Sequence, residues 1–260
     1  MKKRHPLLEI KNVSKSFCKG SKQSIPVLEH INFEVYDNEL VSLLGRSGSG
    51  KSTLIRMISG LIEPDFGSIV CNDLAVNGPC RDTSMVFQSF ALFPWLTVFN
   101  NVAFGLQAAG LNREEIERRT MRMIDLIGLT EYVNAYPKEL SGGMRQRVGF
   151  ARALAVEPKL ILLDEPFSAL DVFTGQKLRQ DLMELWEQHK IATRSMIMVT
   201  HSVEEAVMLS DRVCLLTSDP GTITDIFTID IPRAERTRDN TQDWVDRIRD
   251  TLNEKIALTA

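Results

Sequence analysis

The chain has 260 residues, and its 31 basic against 34 acidic side chains leave a formal net charge of −3, which excludes a binder held to nucleic acid by bulk charge. With 43% apolar and 25% charged residues it has the make-up of a globular protein able to bury its own core, so disorder and small disulfide scaffolds are excluded as well. The four cysteines, Cys18, Cys71, Cys80 and Cys214, lack CxxC spacing and read as free thiols of a reducing compartment, and no apolar run approaches the ~18 residues that cross a bilayer.

In chain order, the first forty residues alternate apolar and polar side chains (Leu8, Ile10, Val13; then Val27, Leu28, Ile31, Phe33, Val35) about a turn expected at Gly20 and over 21–26. This is the pattern of an antiparallel sheet. A short apolar run over 39–44 ends at Gly45, and a helix is predicted over 51–59, stopped by Gly60. Between Val98 and Gly149 helical signals dominate: Asn112 and Glu115 have capping-box spacing, Ile116, Thr120, Met123 and Ile127 share a face, and Gly128 terminates it. There follow a β run at 160–163, a helix around 178–189, a β run at 195–200, a helix at 203–209 and a β run at 213–216. Strands alternating with helices predict a mainly parallel sheet covered on both faces. In the tail Trp244, Ile248, Leu252 and Ile256 recur every four residues, which predicts a docked amphipathic helix.

Two stretches carry chemistry. Residues 45–52 read GRSGSGKS, which fits G-x-x-x-x-G-K-[ST] between a predicted strand and a predicted helix. Gly45, Gly48 and Gly50 let the backbone curl so that successive amides face phosphate oxygens, with the positive end of the helix behind them. Lys51 would reach the β- and γ-phosphates as a point charge, Ser52 would ligate Mg²⁺, and Thr53 would add a phosphate contact; Arg46, Ser47 and Ser49 complete the loop. Residues 160–166 read LILLDEP, an apolar strand ending in two adjacent carboxylates. Desolvation makes such a pair costly unless a cation or a proton transfer compensates, so Asp164 is expected to partner Mg²⁺ and Glu165 to activate water.

At 140–147, LSGGMRQR resembles the signature of the ATP-binding cassette (ABC) ATPases. The rest of that family's pattern is present in order: Phe17 upstream, Gln88 in MVFQ, SALD at 168–171 and His201 in VTHSVEEA. The resemblance implies an α/β fold with a P-loop NTPase core of mainly parallel sheet, an N-terminal antiparallel β subdomain and an inserted helical subdomain that bears the signature. By it an ATPase domain covers 1–235, with the core at 1–87 and 152–235 around helices at 88–151, and a tail occupies 236–260. It further implies ATP and Mg²⁺ as cofactors, Phe17 stacked on adenine, Gln88 on Mg²⁺ or the attacking water, Asp171 among the nucleotide-binding residues and His201 acting at the γ-phosphate. Ser141, Gly142 and Gly143, ahead of a helix running through Arg145 to Ala155, would bind the γ-phosphate of ATP held on a second identical subunit. Two positions depart from the pattern: Met144 stands where many signatures carry Gln, and Phe17 where Tyr is commoner.

The interval between Gln88 and Leu140 has room for a compact helical insert and none for a zinc module or a long coiled coil, which disfavours DNA-repair members of the family. The stretches at 78–106, 140–154 and 199–223 look like the nitrate, sulfonate and taurine importer ATPases. That likeness implies an ATPase homodimer, peripheral on the cytoplasmic face of the inner membrane, that works with two integral-membrane permease subunits and an extracytoplasmic solute-binding protein, with no nucleic-acid partner. Two alternatives stay open: an exporter or lipid-transport ATPase, and a nucleic-acid-associated one using Arg145, Arg147 and Arg152, whose helical spacing beside acidic residues also fits a solvated face. Finally, Phe90, Leu92, Phe93 and Trp95 crowd around Pro94 in a segment that no regular helix can bury, so part of it is expected to stay exposed and dock a permease helix.

Overall fold

The alternating residues at the amino end form two long antiparallel strands, β1 (Leu8–Lys19) and β2 (Gln23–Val35), paired Leu8 to Val35, Ile10 to Phe33 and Phe17 to Ile25. The computed structural model describes residues 5–19 and 23–258, so Gly20 and Ser21 of the expected turn lie outside the described residues, as does the side chain of Ile256. The far end of that turn is corrected: Ser24, Ile25 and Pro26 are strand, opposite Cys18, Phe17 and Ser16. Pro26 is tolerated there because β2 is the edge of the sheet β2-β1-β4-β5, which β4 (Phe66–Cys71) and β5 (Leu74–Ala75) complete.

Two compact units divide the chain, Met1–Thr83 with Arg194–Ala260, and Ser84–Thr193. The first unit also holds a mixed, mainly parallel sheet. In it β3 (Leu40–Leu44) runs parallel to β8 (Ser195–Thr200) on one side and β9 (Arg212–Leu216) on the other, and β10 (Ile223–Thr228) is antiparallel to β9. Every residue of β3 and β8 is buried, which is why both read as continuous runs without alternation. The helices of this unit are α1 (Lys51–Ile58), α6 (Val203–Leu209) and α7 (Gln242–Leu258). As its period predicts, α7 docks: Val245 and Ile248 are buried with Ala206, Val207, Val213, Leu215 and Phe227, while Trp244 and Leu252 pack at the margin. Arg236 fixes the approach to α7 by donating to the carbonyls of Val207 and Ser210, both at 2.7 Å, which the end of α6 leaves without helical partners.

The second unit holds β6 (Thr83–Val86), which starts at its border, β7 (Leu160–Asp164) beside it, and α2 (Val98–Ala108), α3 (Arg113–Leu126), α4 (Gly142–Ala155) and α5 (Val172–Glu187). Helices α2, α3 and α4 pack on one another and bury Val102, Leu106, Ile124 and Val148. The Asn112 cap forms, with its Oδ1 accepting from the Glu115 amide at 2.9 Å. The box itself is only half made, because the Glu115 carboxylate takes the guanidiniums of Arg118 and Arg119, stronger donors than a neutral amide. Helix α5 starts at Val172, ahead of the expected 178, since Asp171 caps it while Val172 and Phe173 stand exposed and hide the apolar period. Likewise α4 begins at Gly142, ahead of Arg145, because Ser141 is its cap. Among the described residues no helix is long and apolar enough to cross a membrane.

Candidate functional site

In the first unit, β3 delivers the chain to a buried Gly45 and α1 carries it away. Gly48 and Gly50 hold φ of 86° and 91°, and a Cβ on Gly50 would lie 2.6 Å from Leu28 Cδ2, so conformation and space both demand glycine there. Gly50 is the N-cap of α1. The caps of α2 to α6 (Thr97, Asn112, Ser141, Asp171 and Ser202) each accept an amide of their own first turn, whereas Gly50 has no side chain to do so. The positive end of α1 therefore faces its ligand side without a built-in acceptor, the arrangement an anion requires. Lys51 is buried, and its Nζ donates to the carbonyls of Gly45 at 2.8 Å and Arg46 at 2.7 Å, which holds the ammonium over the loop. Ser49 is buried, its amide donating to Arg46 O at 3.2 Å; Arg46 and Ser47 are exposed, and Ser52 and Thr53 are half-buried on the first turn of α1.

The register of β3 with β8 pairs Leu44 with Thr200, so Gly45 and His201 leave the sheet side by side. His201 is exposed, in a turn braced by Thr200 Oγ1 donating to the Glu205 carboxylate at 2.6 Å. On β1, opposite Ile25, the Phe17 ring is 42% exposed, and Lys15 Nζ stands 5.6 Å from its centre. These placements bring the phosphate loop, His201 and the aromatic candidate together in one unit.

The remaining candidates share the second unit. Asp164 ends β7 buried, and Glu165 then turns left-handed at φ 45°, an uncommon state for a residue with a side chain. Ser168 closes that turn, its amide at 3.2 Å and its Oγ at 3.0 Å both donating to the Glu165 carbonyl. Gln88 Nε2 donates to Glu165 Oε2 at 3.0 Å and to Ser168 Oγ at 3.3 Å, so the structure joins two residues that the motifs put 77 positions apart. Ser141 caps α4 as expected, with Oγ accepting from the Met144 amide at 3.3 Å. A Cβ on Gly143 would come within 2.5 Å of Thr174 Cγ2, so the first turn of α4 runs hard against α5 beside Gly142. Asp171 caps α5, and the hydrogen bonds from Thr174 hold its carboxyl below the usual carboxylate range.

Two features of this unit escape a reading by motif. Buried Asn101 sits on the apolar face of α2 and pins the segment before it. Its Oδ1 accepts from Phe93 N at 2.9 Å, and its Nδ2 faces the carbonyls of Phe93, Leu96 and Thr97 at 3.0 to 3.1 Å. A polar residue at a core position was the available signal. The segment presents Trp95, 70% exposed, against Phe93, with the Phe104 ring tilted against Phe93 from behind at 4.5 Å between ring centres. The arginines of α4 are the second feature and a correction, since they do not form a solvated face. Arg145 donates to Leu140 O, Arg147 to Ile127 O and the Asp181 carboxylate, and Arg152 to the carbonyls of Phe90 and Ala91. The nucleic-acid alternative thereby loses the contact it relied on.

A family profile described as ABC transporter matches residues 28–168. The chain belongs to the ABC transporter ATP-binding family. This cassette is similar to the nitrate import ATP-binding protein of Synechocystis sp., 45% identical over 233 residues that make up 90% of this chain and 86% of that protein. It is also 43% identical over 230 residues to a bicarbonate transport ATP-binding protein of the same organism, covering 87% of this chain and 34% of that longer one. Among solved structures, a dimeric ATP-binding cassette in a post-hydrolysis state with ADP and Pi superposes with a TM-score of 0.75 at 33% identity, over 86% of this chain and all of the other. The cassette is an ATP-binding ATPase.

Proposed function

We propose that this cassette is the ATP-hydrolysing subunit of an importer for a small anion or organic solute of the nitrate, sulfonate or taurine kind. In this reading two copies work against two permease subunits supplied by a solute-binding protein, at the cytoplasmic face of the inner membrane. The observation that carries it is the continuity of segment 88–97: at one end Gln88 touches the Glu165 carboxylate, and at the other exposed Trp95 offers a docking surface. Likeness to a nitrate import protein along nearly the whole chain supports this direction of transport and this solute class.

In the chemical step Glu165 takes a proton from water as the water oxygen bonds to the γ-phosphorus. The bond from that phosphorus to the bridging oxygen breaks and leaves ADP and phosphate. Lys51 and the loop amides offset charge on the phosphates, Phe17 stacks on the base and His201 orients the γ-phosphate. Ser141, Gly142, Gly143 and Asp171 complete the site of a second copy, so closure of the pair is linked to ATP binding and reopening to its hydrolysis. Ser52, Gln88 and Asp164 are the oxygen donors that would hold Mg²⁺, whose chemistry is to draw charge off phosphate oxygens. A buried carboxylate at the end of an apolar strand suits a hard cation.

The test is reconstitution in proteoliposomes with the permease and binding-protein genes that neighbour this one. Solute-loaded binding protein should stimulate ATP hydrolysis and solute should accumulate on the side that holds the cassette and its nucleotide, away from the binding protein. Movement in the opposite direction, or ATPase activity indifferent to the binding protein, would overturn the importer reading.

A further inference from the structure

Arg152 lies on α4, and its guanidinium donates from Nη1 to Ala91 O at 2.6 Å and from Nη2 to Phe90 O at 3.2 Å, with the Phe93 ring centre 5.7 Å from Cζ. Among the described residues no carboxylate pairs with it, and its partial burial lowers its pKa, so this half-buried cation is committed to two carbonyls. Those carbonyls belong to consecutive left-handed residues that are not glycine, Phe90 at φ 61° and Ala91 at φ 46°. Such a pair is unfavourable by itself, and the planar fork of an arginine is suited to gripping both oxygens where a lysine's point charge is not. The segment also rests on α4 through the Phe90 ring, 5.5 Å from Arg145 Cζ.

We propose that Arg152 is a positioning residue for ATP hydrolysis: by gripping Phe90 and Ala91 it maintains the kink that sets Gln88, two residues upstream, against the Glu165 carboxylate. The inference rests on the roles proposed above for Gln88 and Glu165. It makes the kink conditional on the cation, so that a loop free of Arg152 relaxes and withdraws Gln88 from the reacting end of β7.

The test uses steady-state ATP hydrolysis by the purified cassette, with thermal melting as a check on folding. Arg152→Lys should lower kcat about tenfold while KM for ATP stays within about twofold, as for a group acting on the chemical step. Ala91→Gly should leave kcat near that of the parent chain and, combined with Arg152→Lys, should restore most of the loss, because glycine holds positive φ without a clamp. Ala91→Val, at an exposed position, should reproduce the loss without lowering the melting temperature, and it decides the matter if Arg152→Lys proves too unstable to assay. Arg152→Lys should add nothing to Gln88→Ala. Parent-like turnover in Ala91→Val or in folded Arg152→Lys, beside a defective Gln88→Ala, would overturn the proposal alone. Parent-like turnover in Gln88→Ala would overturn the role of Gln88 on which it stands.

Discussion

Asn101 gives the sharpest energetic test of how the exposed aromatic segment before α2 is held. Truncation to alanine strands the Phe93 amide and at least one of the three carbonyls that Nδ2 now faces, all shielded by a fully buried side chain. At ~1–3 kcal/mol for each buried group left unpaired, two such groups give ~2–6 kcal/mol. The helix propensity that alanine gains at this position offsets about 0.5 kcal/mol of that. For a chain of this size each kcal/mol moves the melting temperature by roughly 2–4 °C, so Asn101→Ala should melt at least ~3 °C lower. Asn101→Leu keeps the volume and removes only the hydrogen bonds, so it should be destabilised nearly as much, whereas a cavity effect would be repaired. Urea unfolding followed by tryptophan emission reads both variants, and Trp95, next to the pinned backbone, reports the segment directly. Asn101→Ala and Asn101→Leu both within 0.5 kcal/mol of the parent by the usual criterion for surface changes would refute the view that this side chain holds the segment.

Other outcomes follow from the site. Glu165→Gln should bind ATP, nearly lose turnover and accumulate as an ATP-bound dimer in gel filtration, while Lys51→Ala should lose ATP binding itself, as equilibrium titration with a fluorescent analogue would show. Phe93→Ser with Trp95→Ser should still bind nucleotide but fail to co-purify with the permease, and normal uptake by this double variant would put the docking surface elsewhere. The Cys71 thiol donates to Cys80 and holds it below the ordinary thiol range, so alkylation of Cys80 should persist to lower pH than that of an ordinary thiol and slow as pH falls through that lowered value. Cys214, fully buried and pushed up to about 12, should stay unmodified until the protein unfolds, when all four thiols titrate.

What could be read from the sequence was local in origin. Strands β3, β7 and β8 are buried on all sides and so appear as apolar runs bounded by a glycine or by polar residues, and the phosphate loop is legible because its function is performed by backbone shape that glycine alone permits. The start of α5 was hidden for the converse reason: Val172 and Phe173 are apolar yet exposed, and they shift the apparent period away from the true cap at Asp171. The motifs identify Gln88 and Glu165 but not their meeting, which depends on β7 and the segment after β6 converging across 77 residues. The arginines of α4 do not make a solvated face because their partners are mostly backbone carbonyls brought in by folding, which no pattern along the chain displays.

Those carbonyls point to how the second unit holds its reactive end. Of the described residues with side chains at positive φ, Asn12, His30, Asn38, Asn72, Asp73, His189 and Asp219 are types that tolerate this state in turns. The others are Phe90, Ala91, Glu157 and Glu165, and three of these four lie on the two stretches that present Gln88 and the carboxylate. Strain of this kind costs on the order of 1–3 kcal/mol per residue and persists only where surroundings over-determine it. At Glu165 glycine would relieve the backbone but remove the carboxylate proposed as the base, so the strain stays, and the two hydrogen bonds from Ser168 to its carbonyl hold the turn closed. At Phe90 and Ala91 glycine is chemically permitted, yet the chain keeps side chains there and commits a half-buried cation to the kink. A glycine pair would be flexible at no cost, whereas a clamped pair has one defined shape that can be released as a unit. That is the property a segment needs if docking at Trp95 is to be felt as a change in the placement of Gln88.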